Sequence, residues 1–148
     1  MTKLRLFSVT AILCLVTTFS MGQFTKQQAN DLVLNQVLAN QLAQVDVFSL
    51  ADAQTDQSGL ALYDNSTIAI PYDECWVYFV DDLPFANWNH SCRYVFVNST
   101  NGNYTIINSR KHPDGWKVNF GIISEAQRPN TIEIALRIIN DSHASNIG

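Results

Sequence analysis

Positive charge is scarce in this sequence. Charged residues make up 15% of its 148 residues, with 9 Lys and Arg against 13 Asp and Glu and a formal net charge of −4. No cluster of Lys or Arg occurs, which removes the phosphate-neutralising surface that nucleic-acid binding depends on. Glycine and proline are also few, at 6 and 4. The 47% hydrophobic content is that of a folded domain, not of a disordered tail. Zinc-type HExxH or CxxC pairs, a GxSxG nucleophile turn, a phosphate-cradling glycine loop and a dinucleotide fingerprint are all missing. The chain reads as one acidic domain with no common catalytic apparatus, and no cofactor, metal or catalytic residue is expected.

Long apolar runs are absent apart from one at the start. Lys3 and Arg5 precede the apolar stretch Leu6 to Phe19, and Ser20-Met21-Gly22 follows it with small residues where a signal peptidase cuts. The run falls short of the ~20 residues that a membrane span needs. Residues 1–22 are thus expected to be a signal peptide, with Gln23 as the new N-terminus and no transmembrane segment left after cleavage. A lipoprotein signal at Cys14 fits poorly, because Leu13 precedes that cysteine and it lies in mid-run. The expected destination is secretion, the periplasm or the cell surface. Lys3 and Arg5 leave with the leader, so seven basic side chains face thirteen acidic ones and the net charge becomes −6.

Cysteine is scarce too. Losing Cys14 with the leader leaves Cys75 and Cys92, and two cysteines in an exported chain of this size most simply form one disulfide. Such a bridge would close an 18-residue loop and contribute roughly 3 kcal/mol. The alternative is a Cys92/His90 nucleophile pair, which needs a free thiolate and a positioned base; the disulfide is preferred.

Phe24 to Gln44 reads as one amphipathic helix. Thr25 and Gln28 form a capping-box pattern, and Ala29, Leu32, Val33, Leu38 and Leu42 recur at roughly helical spacing. Val45 to Leu50 is a weak strand, and Gly59–Tyr63 with Ser66–Ile70 suggests a hairpin around Asp64-Asn65. Trp76 to Val80, Arg93 to Val97 and Tyr104 to Asn108 are dense in β-branched and aromatic residues, as strands demand. Asn101-Gly102 marks the turn between the last two. These strands predict an antiparallel meander. Lys117 to Ile123, after the turn His112-Pro-Asp-Gly115, could add a fourth strand. For residues 131–139, strand-like alternation of Ile132, Ile134, Leu136 and Ile138 competes with a capping pattern at Asn130 and Glu133; a helix is slightly preferred. Residues 23–139 form the single expected domain, and residues 140–148 a polar tail.

The loop from Asp81 to His90 is the most unusual segment. Asp81, Asp82 and Asn87 suggest oxygen ligands for calcium, yet their spacing matches no calcium loop and these are ordinary turn residues. Phe85 and Trp88 are either an aromatic platform or rings folded over the open end of the sheet. Paired-carboxylate catalysis by Asp73 and Glu74, or by Asp81 and Asp82, is disfavoured because adjacent acids point in different directions. The candidate binding residues are Asp81, Asp82, Phe85, Asn87, Trp88 and His90. Trp116 is a further aromatic contact of interest. Five Asn-x-Ser/Thr sequons begin at Asn65, Asn89, Asn98, Asn103 and Asn140, glycan acceptors only in a eukaryotic secretory path.

Three segments together carry a resemblance: Phe24-Thr-Lys-Gln-Gln-Ala-Asn-Asp-Leu-Val, Cys75-Trp-Val-Tyr-Phe-Val, and Tyr94-Val-Phe-Val-Asn-Ser-Thr-Asn-Gly-Asn-Tyr104. Over roughly residues 24 to 109 the chain resembles the small secreted PepSY-like domains common in Bacteroidota. The resemblance implies an α+β fold in which an N-terminal helix packs on an antiparallel β-meander. It also implies a non-catalytic module that binds an extracellular protein, perhaps inhibiting or chaperoning a peptidase. The loop Asp81 to His90 and the segment after Lys111 depart from that pattern. Two other classes stand beside it: a surface accessory domain that takes glycan or peptide on Phe85, Trp88 and Trp116, and, less favoured, a small hydrolase.

Overall fold

A computed structural model describes residues 22–55, 58–86 and 88–128. The leader up to Met21, Asn87 and the segments 131–139 and 140–148 lie outside the described residues, and with them the readings made there.

The fold is α+β. Helix α1 (Lys26–Leu32) starts with the expected capping box: the Gln28 N–H donates to Thr25 Oγ1 at 3.3 Å, and Gln28 Oε1 accepts the Thr25 N–H at 2.8 Å. It does not run on to Gln44. At Val33–Val37 the backbone widens into a π-helical turn, and turns follow. The apolar stripe supplies the reason. Ala29 and Val33 are four apart but Val33 and Leu38 are five apart, so regular α-geometry would carry Leu38 off the buried face. The wider turn, closed by the Leu38 N–H donating to the Val33 carbonyl at 2.9 Å, keeps all three buried.

Among the described residues seven strands follow: β1 (Asp46–Leu50), β2 (Leu60–Ala61), β3 (Thr67–Ile68), β4 (Cys75–Asp81), β5 (Cys92–Asn98), β6 (Tyr104–Ser109) and β7 (Phe120–Ser124). The meander β4-β5-β6 is present as expected. It belongs to a five-stranded antiparallel sheet of order β6-β5-β4-β1-β7, while β2 and β3 form a separate small hairpin. The strand after the His112–Gly115 turn does exist, but it pairs with β1 at the far edge, after a short helical turn α2 (Trp116–Asn119).

The central strands are buried on both faces, which explains their near-continuous apolar runs. On one face Tyr78, Val80, Val95 and Val97 pack under Ala29 of α1 and under Val33 and Leu38 at the two ends of the π-turn that follows it. On the other, Val77, Phe79, Tyr94 and Phe96 are covered by Leu62 and Ile70 from the hairpin region and by Phe120. Buried hydroxyls are satisfied: Tyr78 donates to Asn30 Oδ1 at 2.8 Å and Tyr94 to the Lys111 carbonyl at 2.7 Å.

The expected Cys75–Cys92 disulfide does not form; both cysteines are free and buried. Each begins a strand, but the two strands are antiparallel neighbours, so their beginnings lie at opposite ends. Cys92 sits across from Asp81, and Cys75 across from Asn98. Six residue steps along the strand take Cys75 to Asp81, on the order of 20 Å, against the ~4–7 Å between Cα atoms that a disulfide allows.

Candidate functional site

The loop that leaves β4 is organised by the alternation of the strand before it. Asp81 and Asp82 point to opposite faces, as expected of adjacent acids, and each is engaged separately. Asp81 is buried and its Oδ1 lies 2.7 Å from His90 Nε2, while also accepting the Leu83 N–H at 3.0 Å. The Asp82 carboxylate pairs with Arg93 at 2.6 Å, and Arg93 in turn donates to Gln41 Oε1 at 2.7 Å beyond the helix. The facing carboxylates are a different pair: the register sets Asp46 directly across from Asp81, and Asp46 accepts the Ala126 N–H at 2.7 Å with Arg128 3.9 Å away.

His90 closes the loop. Its Nδ1 lies 2.6 Å from the Trp88 carbonyl oxygen and its Nε2 faces the Asp81 carboxylate. Both partners are acceptors, so only the doubly protonated imidazolium satisfies both. Burial works against that charge, but the Trp88 carbonyl and the Asp81 and Asp82 carboxylates outweigh it, and the His90 pKa is raised above its ordinary 6.5.

Between these anchors the loop presents apolar groups outward. Trp88 is 70% exposed, Phe85 55% and Leu83 49%. The two rings therefore do not fold over the end of the sheet. Leu83, Phe85 and Trp88 border a shallow groove of about 230 Å³, with the Arg128 guanidinium 5.8 Å over the Phe85 ring. On the opposite side of the loop lies a larger cavity of about 650 Å³. Trp88, His90 and Asp81 form one wall, Phe79 and Cys92 contribute to the lining, and Tyr63, Arg110, His112, Trp116 and Lys117 complete it. The far wall is rigidly built. Trp116 stands edge-on to Phe48 at 4.8 Å and against Phe79 at 5.4 Å, and the Tyr63 and His112 rings lie 4.5 Å apart. The hairpin is tied to the His112–Gly115 turn by Asp114 N–H to Ala61 O at 3.0 Å and Tyr63 N–H to His112 O at 3.3 Å.

Five of the six candidate binding residues are thus brought together at one end of the sheet; the sixth, Asn87, is not among the described residues. Sequence reasoning passed over Tyr63, Arg110 and Lys117. They come from three separate segments, and nothing local in the sequence marks them as neighbours of the loop.

Cys92 borders the same cavity as His90, but the pair is not set up as nucleophile and base. Both His90 nitrogens are taken, and the Cys92 thiol donates to the Lys111 carbonyl at 3.4 Å. Burial pushes its pKa up to about 11, the nearby Asp82 and Asp81 adding to the rise, which leaves it a thiol and not a thiolate at neutral pH. Among the described residues no group of three His, Cys, Asp or Glu side chains could hold a metal ion, and no helix is long and apolar enough to cross a membrane. No family model, curated protein or solved structure matches the chain.

Proposed function

We propose that this protein is an exported, non-catalytic binding module, PepSY-like in organisation, that meets an extracellular protein, such as a peptidase it restrains or chaperones, through the loop Asp81 to His90. The observation that carries this reading is the exposed trio Leu83, Phe85 and Trp88 on a loop held at both ends, by Asp81 with His90 and by Asp82 with Arg93. A loop ordered beforehand loses less entropy on binding, and an exposed Trp is the commonest kind of interface anchor. The occupied His90 nitrogens and the buried Cys92 thiol support a role without bond-breaking chemistry.

The test joins stability to capture. Trp88→Ala should leave the melting temperature nearly unchanged, since a side chain so exposed contributes less than about 1 kcal/mol to folding. Capture of the partner from culture medium, or inhibition of a co-secreted peptidase, should fall by at least about tenfold, the weight of a typical anchor residue. Unchanged capture by the variant refutes the loop as the contact surface.

A second reading, glycan or peptide recognition by the aromatic side chains, is favoured by the cavity of about 650 Å³ walled by Trp88, Trp116 and Tyr63, a volume typical of small-ligand sites.

A further inference from the structure

The cations of this acidic protein are not distributed evenly with respect to their partners. Among the described residues, Arg93, Lys111 and Arg128 are within 4.0 Å of Asp82, Asp64 and Asp46, and Lys26 is turned in to the Leu50 carbonyl. Arg110 and Lys117 have no carboxylate partner within that distance among the described residues, and both line the larger cavity. Both are exposed, and each has one nearby contact. Arg110 donates to the Asn89 carbonyl at 3.2 Å, and Lys117 lies 5.5 Å over the Trp116 ring.

The other ionisable groups around the cavity do not cancel this charge. Asp81 is already matched by His90 at 2.7 Å, and His112, its ring tilted against Tyr63 at 4.5 Å, adds a further donor. Two cations without carboxylate partners, in a domain where negative charge exceeds positive, thus stand beside three aromatic faces. Trp88, Trp116 and Tyr63 all line the cavity, and the Tyr63 ring lies 4.5 Å from that of His112.

We infer that the cavity is a binding site for a carboxylate-bearing ring, a sugar acid or an aromatic acid, with the carboxylate received by Arg110 and Lys117 and the ring lying against the Trp88, Trp116 and Tyr63 faces. An Arg guanidinium engages a carboxylate through two parallel N–H donors, and either an aromatic ring or the apolar C–H face of a sugar ring can pack against an indole or phenol. The inference rests on the reading of this end of the sheet as a recognition surface, and it adds the chemistry of the ligand.

The experiment is calorimetric titration of the mature protein with galacturonate oligosaccharides and with phenylacetate, each beside its neutral counterpart, galactose oligosaccharides and phenylacetamide. The two acids separate the sugar and aromatic sources. At least one acid should bind about tenfold or more tightly than its neutral counterpart, with affinity falling as salt is added. Arg110→Gln and Lys117→Gln, both surface changes, should each weaken that acid by about tenfold while leaving the melting temperature unchanged. Equal affinity for acid and neutral forms overturns the inference but leaves the cavity as a recognition site. No binding of either acid at about 10 mM overturns it as well. The recognition-surface reading fails on different evidence, the unaltered partner capture of Trp88→Ala.

Discussion

His90 and Asp81 form an ion pair at 2.7 Å across the mouth of the loop, with the second imidazole nitrogen 2.6 Å from the Trp88 carbonyl. This pair does the work that the sequence suggested for a disulfide: it limits the freedom of the loop. It does so with a group that titrates. The folded-state pKa of His90 is raised above its ordinary 6.5, so its contribution to stability is fully present below about pH 6.5 and is lost as pH rises through the folded value. The melting temperature of the native protein should exceed that of His90→Gln by more at about pH 5.5 than at about pH 8.5. A gap that is constant across that range, or larger at alkaline pH, contradicts the imidazolium assignment.

The free cysteines make a second prediction. Intact mass should be unchanged by reducing agent, and two thiols should alkylate once the protein is denatured. In the native state both should react slowly at neutral pH, because burial pushes each thiol up to about 11 and both are nearly inaccessible. A mass shift of one bridge on reduction would restore the disulfide.

Gly102 is required twice over. Its φ of +75° lies in the left-handed region, and a Cβ there would come within 2.7 Å of the Phe24 ring. That ring sits where the N-terminal segment is strapped to the sheet, with the Phe24 N–H donating to Ser99 O at 2.5 Å and the Trp76 indole N–H donating to Phe24 O at 2.8 Å. Gly102→Ala should therefore cost about 1–3 kcal/mol in urea denaturation. A cost below about 0.5 kcal/mol would show that the strap moves aside freely.

Lys26 predicts a pH dependence of the opposite kind. Partial burial lowers its pKa to about 8, against a smaller raising effect of Asp52, while its ammonium lies 4.9 Å from the Tyr78 ring centre and bonds the Leu50 carbonyl. The unfolded chain binds more protons than the folded one between about pH 8 and the ordinary lysine value of 10.5, so this group makes stability rise with pH through that window. Lys26→Met keeps the apolar stem but removes the titration, and the rise should flatten in equilibrium denaturation curves. A variant with the same slope as the native protein would show that Lys26 is not its source.

Local chemistry was enough for several elements. Thr25 and Gln28 specify a helix start wherever they occur in this arrangement, since the capping box is made within four residues. The dense β-branched and aromatic runs of β4 and β5 allow little besides buried strands, the run of β6 makes a half-exposed edge strand, and Asp64-Asn65 turns its hairpin with Asn65 at φ 65°. The acidic balance is likewise a sequence-level reading, made without any contact between distant residues.

Pairing and proximity were decided only by the tertiary structure. Cys75 and Cys92 are alike in local position, each at the head of a strand, and only antiparallel pairing sends those heads to opposite ends of the sheet. The helix stops short of Gln44 because burying Leu38 against β4 and β5 favours a wider turn over regular α-geometry. β7 joins β1 and not β6, which brings the preceding Trp116 and Lys117 round to face His90. Tyr63, Arg110 and Lys117 meet the loop only after three chain segments converge, and hydrophobic burial, which is non-directional and blind to sequence separation, drives that convergence. Composition and spacing thus determined the helix start and the strands of the meander, but not the π-turn at Val33–Val37 or the helical turn Trp116–Asn119. The convergence of separate segments at one end of the sheet determined which side chains share the cavity and which two cations, among the described residues, line it without a carboxylate partner.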